Sequence, residues 1–210
     1  MSESNRVVII GGTSGIGLVT AQYLKNKGYE LIVAGRRSTD IERIETFKVD
    51  ICSEESVAEL FNVSLKHYDD INALVYSAGI AAPQRKIENF DKDLWDNIIA
   101  TNVTGALLTL KYSFNVLKRS RGRVVIVNSL AARRCSELSG MEYTASKAAL
   151  GALVRQLSIE WASDNVLINS VYPGMTMTPM LAENVSKDKL KEIEGKIPLG
   201  RIARPEEIAR

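Results

Sequence analysis

The sequence contains a single histidine, His67, and two cysteines, Cys52 and Cys135, in 210 residues. So few ligands form no cluster with metal-binding spacing, and no metal is expected. The thiols lack redox spacing as well, so both read as reduced. His67, beside Tyr68-Asp69-Asp70, reads as a surface residue with no role. A large charge of either sign is also lacking: 27 basic against 25 acidic residues leave a formal +2, which gives no general argument for nucleic acid or an anionic membrane surface as partner. No apolar run approaches a membrane span, and the polar start Met1-Ser2-Glu3-Ser4-Asn5-Arg6 has no signal-peptide pattern, so a cytoplasmic protein is the default expectation. Repeats and interdomain linkers are missing too. The whole of residues 1–210 is therefore read as one domain with a substantial core.

What is present is alternation. Short β-branched runs at 7–10, 31–33, 47–49, 71–75, 124–127 and 166–171 are separated by helical periodicity at 17–27, 54–66, 95–117 and 143–162. Strands alternating with helices of these lengths predict βαβ units and a parallel sheet covered on both faces. Only about a dozen residues separate the second strand from the third, so the helix between them is expected to be a turn or two. Near the other end, Arg204-Pro205-Glu206-Glu207-Ile208 has the proline and acids of a helix start, and the chain is expected to stop inside an element.

Directly after the first strand comes Gly11-Gly12-Thr13-Ser14-Gly15-Ile16-Gly17, which opens a helix. Glycines allow a tight turn and close backbone approach to a pyrophosphate, and the helix start directs amides and partial positive charge at it. The spacing is Gly-x3-Gly-x-Gly, not the commoner Gly-x-Gly-x-x-Gly. Gly11, Thr13, Ser14, Gly15, Ile16 and Gly17 are candidate dinucleotide-binding residues. At the end of the second strand an acid would receive the ribose hydroxyls of NAD, but Arg36 and Arg37 stand there instead. They suit the 2′-phosphate of NADP, so NADP(H) is favoured, with NAD(H) possible.

Tyr143-Thr144-Ala145-Ser146-Lys147 places a phenol and an ammonium four residues apart, on one helix face. A cation there is expected to stabilise the ionised phenol and bring it toward working pH for acid–base chemistry.

Together these motifs resemble the classical branch of the short-chain dehydrogenase/reductase family over essentially the whole chain. The family's glycine motif matches 10–17 with Ile10 in place of threonine, its Tyr-x3-Lys matches Tyr143 and Lys147, and its Pro-Gly segment matches Pro173 and Gly174 with Thr178 downstream. The resemblance implies a single-domain α/β Rossmann-type doubly wound parallel sheet, with the usual end of the C-terminal helix and the seventh strand missing. It also implies further site residues. Asp50 and Ile51 look like the adenine-contacting pair, and Tyr76-Ser77-Ala78-Gly79 stands where Asn-Asn-Ala-Gly is usual, so Ser77, Ala78 and Gly79 line the cofactor and the fourth strand is expected to be less rigid. Pro173, Gly174, Thr176 and Thr178 would hold the nicotinamide end. Asn102 maps onto the catalytic asparagine and Ser129 onto the catalytic serine, with Ser136 and Ser139 as weaker candidates for the latter.

The implied chemistry is hydride transfer between nicotinamide and a carbonyl or secondary alcohol. In it Tyr143 is the general acid/base, Ser129 positions the substrate oxygen, Lys147 supports the tyrosinate and the ribose, and Asn102 holds a water. A flexible apolar segment at about 175–197, beginning with Met175, Met177, Met180 and Leu181, is expected to be a substrate lid. Arg133 and Arg134 could meet an anionic substrate. The basic cluster Lys118, Arg119, Arg121 and Arg123 could meet an acyl carrier protein, or could simply complement a helix C-terminus. A carbonyl reductase like the 3-oxoacyl-carrier-protein reductases leads; a sugar or polyol dehydrogenase of the same family, or a non-catalytic dinucleotide sensor, are the alternatives. A homo-oligomer is expected.

Overall fold

The computed structural model describes residues 5–36, 41, 44–67 and 70–210. Its strands are β1 (Arg6–Ile10), β2 (Glu30–Gly35), β3 (Glu45–Lys48), β4 (Ala73–Tyr76), β5 (Arg123–Val127) and β6 (Leu167–Val171). Helices α1 (Gly15–Asn26), α2 (Glu54–His67), α3 (Lys92–Ile99), α4 (Gly105–Ser120), α5 (Met141–Glu160), α6 (Pro179–Asn184), α7 (Lys187–Glu194) and α8 (Pro205–Ala209) cover them. The strands pair in parallel in the order β3-β2-β1-β4-β5-β6, a Rossmann-type doubly wound sheet. The short helix expected between β2 and β3 falls largely on residues outside those described.

Successive side chains of a strand point to opposite faces, and here both faces are apolar. Val8, Ile10, Ile32, Ala34, Leu74, Tyr76, Val124 and Ile126 join α2, α4 and α5 in one core cluster. Val7, Ile9, Leu31, Val33, Val75 and Val127 join α1 in the other. The register aligns Ile10 with Ala34 and Tyr76, Tyr76 with Ile126, and Val127 with Val171. All of these strands therefore end at one rim, and the strand order reverses between β1 and β4. An open crevice forms at that switch point because the connections leave the sheet in opposite directions.

The periodicity at 95–117 does not make one regular helix. Asp91 accepts a hydrogen bond from the Leu94 amide at 3.0 Å and so starts the helix earlier, at Lys92. Residues Ala100–Thr104 then form a π turn before α4 continues to Ser120. Likewise the segment after 175, expected to be flexible, contains α6 and α7, the latter capped by Ser186. No helix among the described residues is long and apolar enough to cross a membrane.

Candidate active site

The turn after β1 has two close approaches that no side chain could share. Gly11 has φ +77°, and a Cβ there would lie 2.5 Å from the Ala78 amide nitrogen; a Cβ on Gly17 would lie 2.3 Å from the Gly11 carbonyl oxygen. The first turn of α1 contains no acid, and Ser14, its extended N-cap residue, makes no side-chain capping bond. The amides of this helix start are thus left for an anion. Across the crevice, the Thr178 side chain lies 3.6 Å from where a Gly15 Cβ would be, bringing the segment after β6 to the glycine turn. That segment is pinned from below: the Met177 amide donates to the Ala203 carbonyl at 2.8 Å and the Ala203 amide to the Met175 carbonyl at 3.0 Å. Thr176 is buried and its hydroxyl donates to the Gly174 carbonyl at 3.2 Å. A narrow turn, free amides and a pinned opposite wall fit a dinucleotide.

Other expected cofactor residues line the same rim. The Ser77 amide donates to the Ile10 carbonyl at 2.8 Å. Asp50 accepts from the Cys52 amide at 2.9 Å, and Ile51 is buried where a Gly105 Cβ would meet its side chain at 3.0 Å. Arg36 is exposed directly beyond β2, while Arg37 lies outside the described residues.

Helix α5 brings Tyr143 and Lys147 to the crevice, and Ser129 follows β5. The Ser129 hydroxyl lies near enough to the Tyr143 phenol to favour its ionised form, and its oxygen accepts from the Ala131 amide at 3.1 Å. Neither Ser136 nor Ser139 is needed for that position; the Ser136 hydroxyl instead accepts from the Leu138 and Ser139 amides, at 3.3 and 2.9 Å. Lys147 is 4% exposed and its Nζ donates to the Val127 carbonyl at 3.3 Å. It lies 5.7 Å from the centroid of the Tyr143 ring.

The electrostatics differ from expectation. Burial raises the Tyr143 phenol above its ordinary value, opposed by the nearby Ser129 hydroxyl. Burial also pushes the Lys147 ammonium down to about 8. Burial is the dominant influence at both groups, and the Lys147 ammonium is turned to the Val127 carbonyl.

Asn102 sits in the π turn, fully buried. Its Oδ1 accepts from the Ile80 amide at 2.8 Å, and its Nδ2 donates to the Ile80 carbonyl and to the Ser146 hydroxyl, both at 2.9 Å. Both amide protons are used, and one lone pair of Oδ1 is left. A Cβ on Gly79 would lie 3.2 Å from Asn102 Oδ1 and 3.5 Å from Lys147 Nζ. The missing side chain thus keeps the approach between these two polar atoms open.

Three participants were not singled out by the sequence reading. Ser146 donates to the Tyr143 carbonyl at 2.8 Å while accepting from Asn102, and the helical spacing of Glu142, Ser146 and Leu150 could have marked that buried face. Ile80 acts through its backbone, which no sequence signal reveals. Tyr76, read as weakening β4, donates instead to the Thr101 carbonyl at 3.2 Å, so the expected loss of rigidity is met by a different bond. Other expectations lie away from this centre. Arg133 is exposed and stacks over the Tyr172 ring at 4.7 Å, and Arg134 is exposed. The basic cluster lies at the amino end of β5, opposite the crevice, where Lys118 pairs with Asp164 at 2.7 Å.

The family profile described as "Enoyl-(Acyl carrier protein) reductase" matches residues 11–210. A 3-oxoacyl-[acyl-carrier-protein] reductase, FabG, of Aquifex aeolicus is 31% identical over 96% of this chain and 86% of its own length. A cis-4-hydroxycyclohexanecarboxylate dehydrogenase of Sinomonas cyclohexanicum is 28% identical over 96% of this chain and 85% of its own length. Among solved structures, the ligand-free aldohexose dehydrogenase of Thermoplasma acidophilum superposes with a TM-score of 0.90 at 25% identity, covering 99% of this chain and 85% of that one. ElxO with NADP bound shares the fold, with a TM-score of 0.89 at 23% identity over 98% of this chain and 88% of that one. The chain belongs to the short-chain dehydrogenase/reductase family, in its classical branch. It is an oxidoreductase of that family, whose members bind a nicotinamide cofactor.

Proposed function

We propose that the protein is an NADP(H)-dependent carbonyl reductase in which Tyr143 is the general acid. The observation that carries this reading is the placement of Ser129 and buried Lys147 beside the Tyr143 phenol, facing a glycine turn too tight for side chains. NADP(H), when bound, supplies a hydride at C4 of its nicotinamide. Gly11, Thr13, Ser14, Gly15, Ile16 and Gly17 hold its pyrophosphate, Arg36 and Arg37 its 2′-phosphate, and Asp50 and Ile51 its adenine. Ser77, Ala78, Gly79, Pro173, Gly174, Thr176 and Thr178 complete the wall.

Ser129 and Tyr143 bind the substrate's carbonyl oxygen together, which fixes it next to a proton donor. A phenol held above its ordinary pKa keeps its proton at neutral pH and gives it up as the oxygen becomes a strongly basic alkoxide. That suits reduction. Lys147 supports the tyrosinate left behind and holds the ribose hydroxyls, and a water in the space beside Gly79 connects Lys147 to Asn102 for reprotonation. The segment 175–197 closes over the substrate, with the exposed methionines Met177 and Met180 giving it an apolar inner surface.

The resemblance to a 3-oxoacyl-carrier-protein reductase supports a keto substrate on a carrier chain, and the aldohexose dehydrogenase likeness supports a sugar or polyol as the second reading. Exposed Leu107 on α4 and Ile159 on α5 support a homo-oligomer. The test is carbonyl reduction across a panel of keto esters, cyclic ketones and aldoses by wild type and Tyr143→Phe. Turnover that drops by three orders of magnitude or so in the variant, with NADPH still bound, is the expected result. Unchanged turnover in Tyr143→Phe would overturn the mechanism, and NADPH binding without turnover of any substrate would favour a sensor.

A further inference from the structure

We infer that Tyr76 is a positioning residue for the proton-resupply site, holding the π turn that presents Asn102 by a hydrogen bond from its hydroxyl to the Thr101 carbonyl. The inference rests on the proposed role of Asn102. Tyr76 ends β4 and is fully buried, and its hydroxyl donates at 3.2 Å to the residue immediately before Asn102. A π turn inserts an extra residue and displaces carbonyls from the α-helical ladder, so it persists where other groups satisfy its backbone. Tyr76 does so at the Thr101 carbonyl, while the Ile80 backbone holds the turn through a side chain, exchanging bonds in both directions with the Asn102 amide group. The Thr101 hydroxyl is held separately, 3.6 Å from the Cys52 thiol. Burial pushes the Tyr76 phenol far above its ordinary value, so the group is a neutral, permanent donor at every pH the enzyme meets.

This places one residue of β4 behind the catalytic geometry without touching substrate or cofactor. The Asn102 amide has its orientation set by Ile80, four residues beyond Tyr76, and its backbone set through Thr101 by Tyr76 itself. Removing the hydroxyl frees Thr101 to slip back toward a regular α ladder, which would rotate Asn102 away from the Gly79 space. Hydride transfer geometry, built from Ser129, Tyr143 and the glycine turn, does not pass through this bond. Proton resupply does.

The experiment compares wild type, Tyr76→Phe, Asn102→Ala and the double variant, using the best substrate of the panel and NADPH. Tyr76→Phe is expected to lower kcat about 10-fold with NADPH affinity unchanged and to raise the solvent deuterium isotope effect on kcat, because reprotonation becomes limiting. In the Asn102→Ala background the same change is expected to cost less than twofold, since the residue it positions is gone. Should Tyr76→Phe fold poorly, Tyr76→p-aminophenylalanine and Tyr76→p-methylphenylalanine keep the size of tyrosine, and only the amino variant, which restores a donor, should recover kcat. A kcat within twofold of wild type in Tyr76→Phe, an equal loss in both backgrounds, or equal recovery by the two tyrosine-sized variants would overturn the inference. If Asn102→Ala and Tyr143→Phe themselves turn over like wild type, the proposed function fails instead; if they are crippled and Tyr76→Phe is not, only this inference fails.

Discussion

Asn102 and Ile80 exchange two hydrogen bonds, Ile80 amide to Asn102 Oδ1 at 2.8 Å and Asn102 Nδ2 to the Ile80 carbonyl at 2.9 Å, which locks the π turn to the chain leaving β4. Gly79 lies just before that lock, and its lack of a side chain keeps Asn102 Oδ1 and Lys147 Nζ facing one small space.

Filling that space gives the first prediction. An alanine Cβ at position 79 would stand 3.2 Å from Asn102 Oδ1, tight enough to push the neighbour yet not to break the fold. Gly79→Ala should therefore melt within a few degrees of wild type but reduce carbonyls at least 10-fold more slowly, about 1.4 kcal/mol in the barrier. Thermal melts and steady-state kinetics measure the two effects separately. Equal loss of NADPH affinity and of turnover would show that the added methyl acts through the cofactor wall and not through Asn102.

Lys147 yields a stability prediction with a definite sign. Its ammonium is held at about 8 by burial against 10.5 in the free side chain. Below pH 8 both folded and unfolded chains carry the charge, and the folded one bears the cost of burying it. Between about 8 and 10.5 the folded chain releases the proton while the unfolded one keeps it, so this group's contribution rises with pH, by roughly 3 kcal/mol across the window. Lys147→Met should be more stable than wild type by about 1–3 kcal/mol at pH 7, and the gap should narrow toward pH 10. Urea unfolding at both pH values measures it, with activity lost throughout.

The proposed preference for NADP(H) is tested at Arg36. This residue is exposed directly beyond β2. Arg36→Ala is expected to weaken NADPH binding about 10- to 100-fold, as the loss of a charge-assisted hydrogen bond does, and to leave NADH binding unchanged. Fluorescence titration decides. NADH binding to wild type as tightly as NADPH would end the NADP(H) assignment.

Two glycines of the cofactor wall should behave oppositely. Gly11→Ala combines a positive φ with a 2.5 Å clash against backbone, so it should cost several kcal/mol or prevent folding. Gly174 has nothing within 4 Å of its Cβ position. Gly174→Ala should be within about 0.5 kcal/mol of wild type, and paired denaturant curves test the contrast.

The sequence by itself determined the layout, because a parallel sheet buried on both faces requires uninterrupted β-branched runs and the covering helices require their own period. Runs at 7–10 and 124–127 and the glycine turn at 11–17 were legible for this reason, and the Tyr143/Lys147 pair from its helical spacing, whereas Asn102 and Ser129 came from the family resemblance. Element ends were less so. The start of α3 at Lys92 depends on the Asp91 cap, and the break at Ala100–Thr104 depends on bonds to Tyr76 and Ile80, which belong to a different part of the chain.

Tertiary structure alone decided the electrostatics. Four-residue spacing put the Lys147 ammonium beside the Tyr143 phenol, but spacing says nothing of how deeply the helix is buried or where the ammonium turns for a partner. Once α5 packs on the sheet, desolvation raises the phenol, lowers the ammonium, and directs the latter to the Val127 carbonyl. Local sequence specifies which groups can meet; burial, a property of the whole fold, sets the charge they carry when they do.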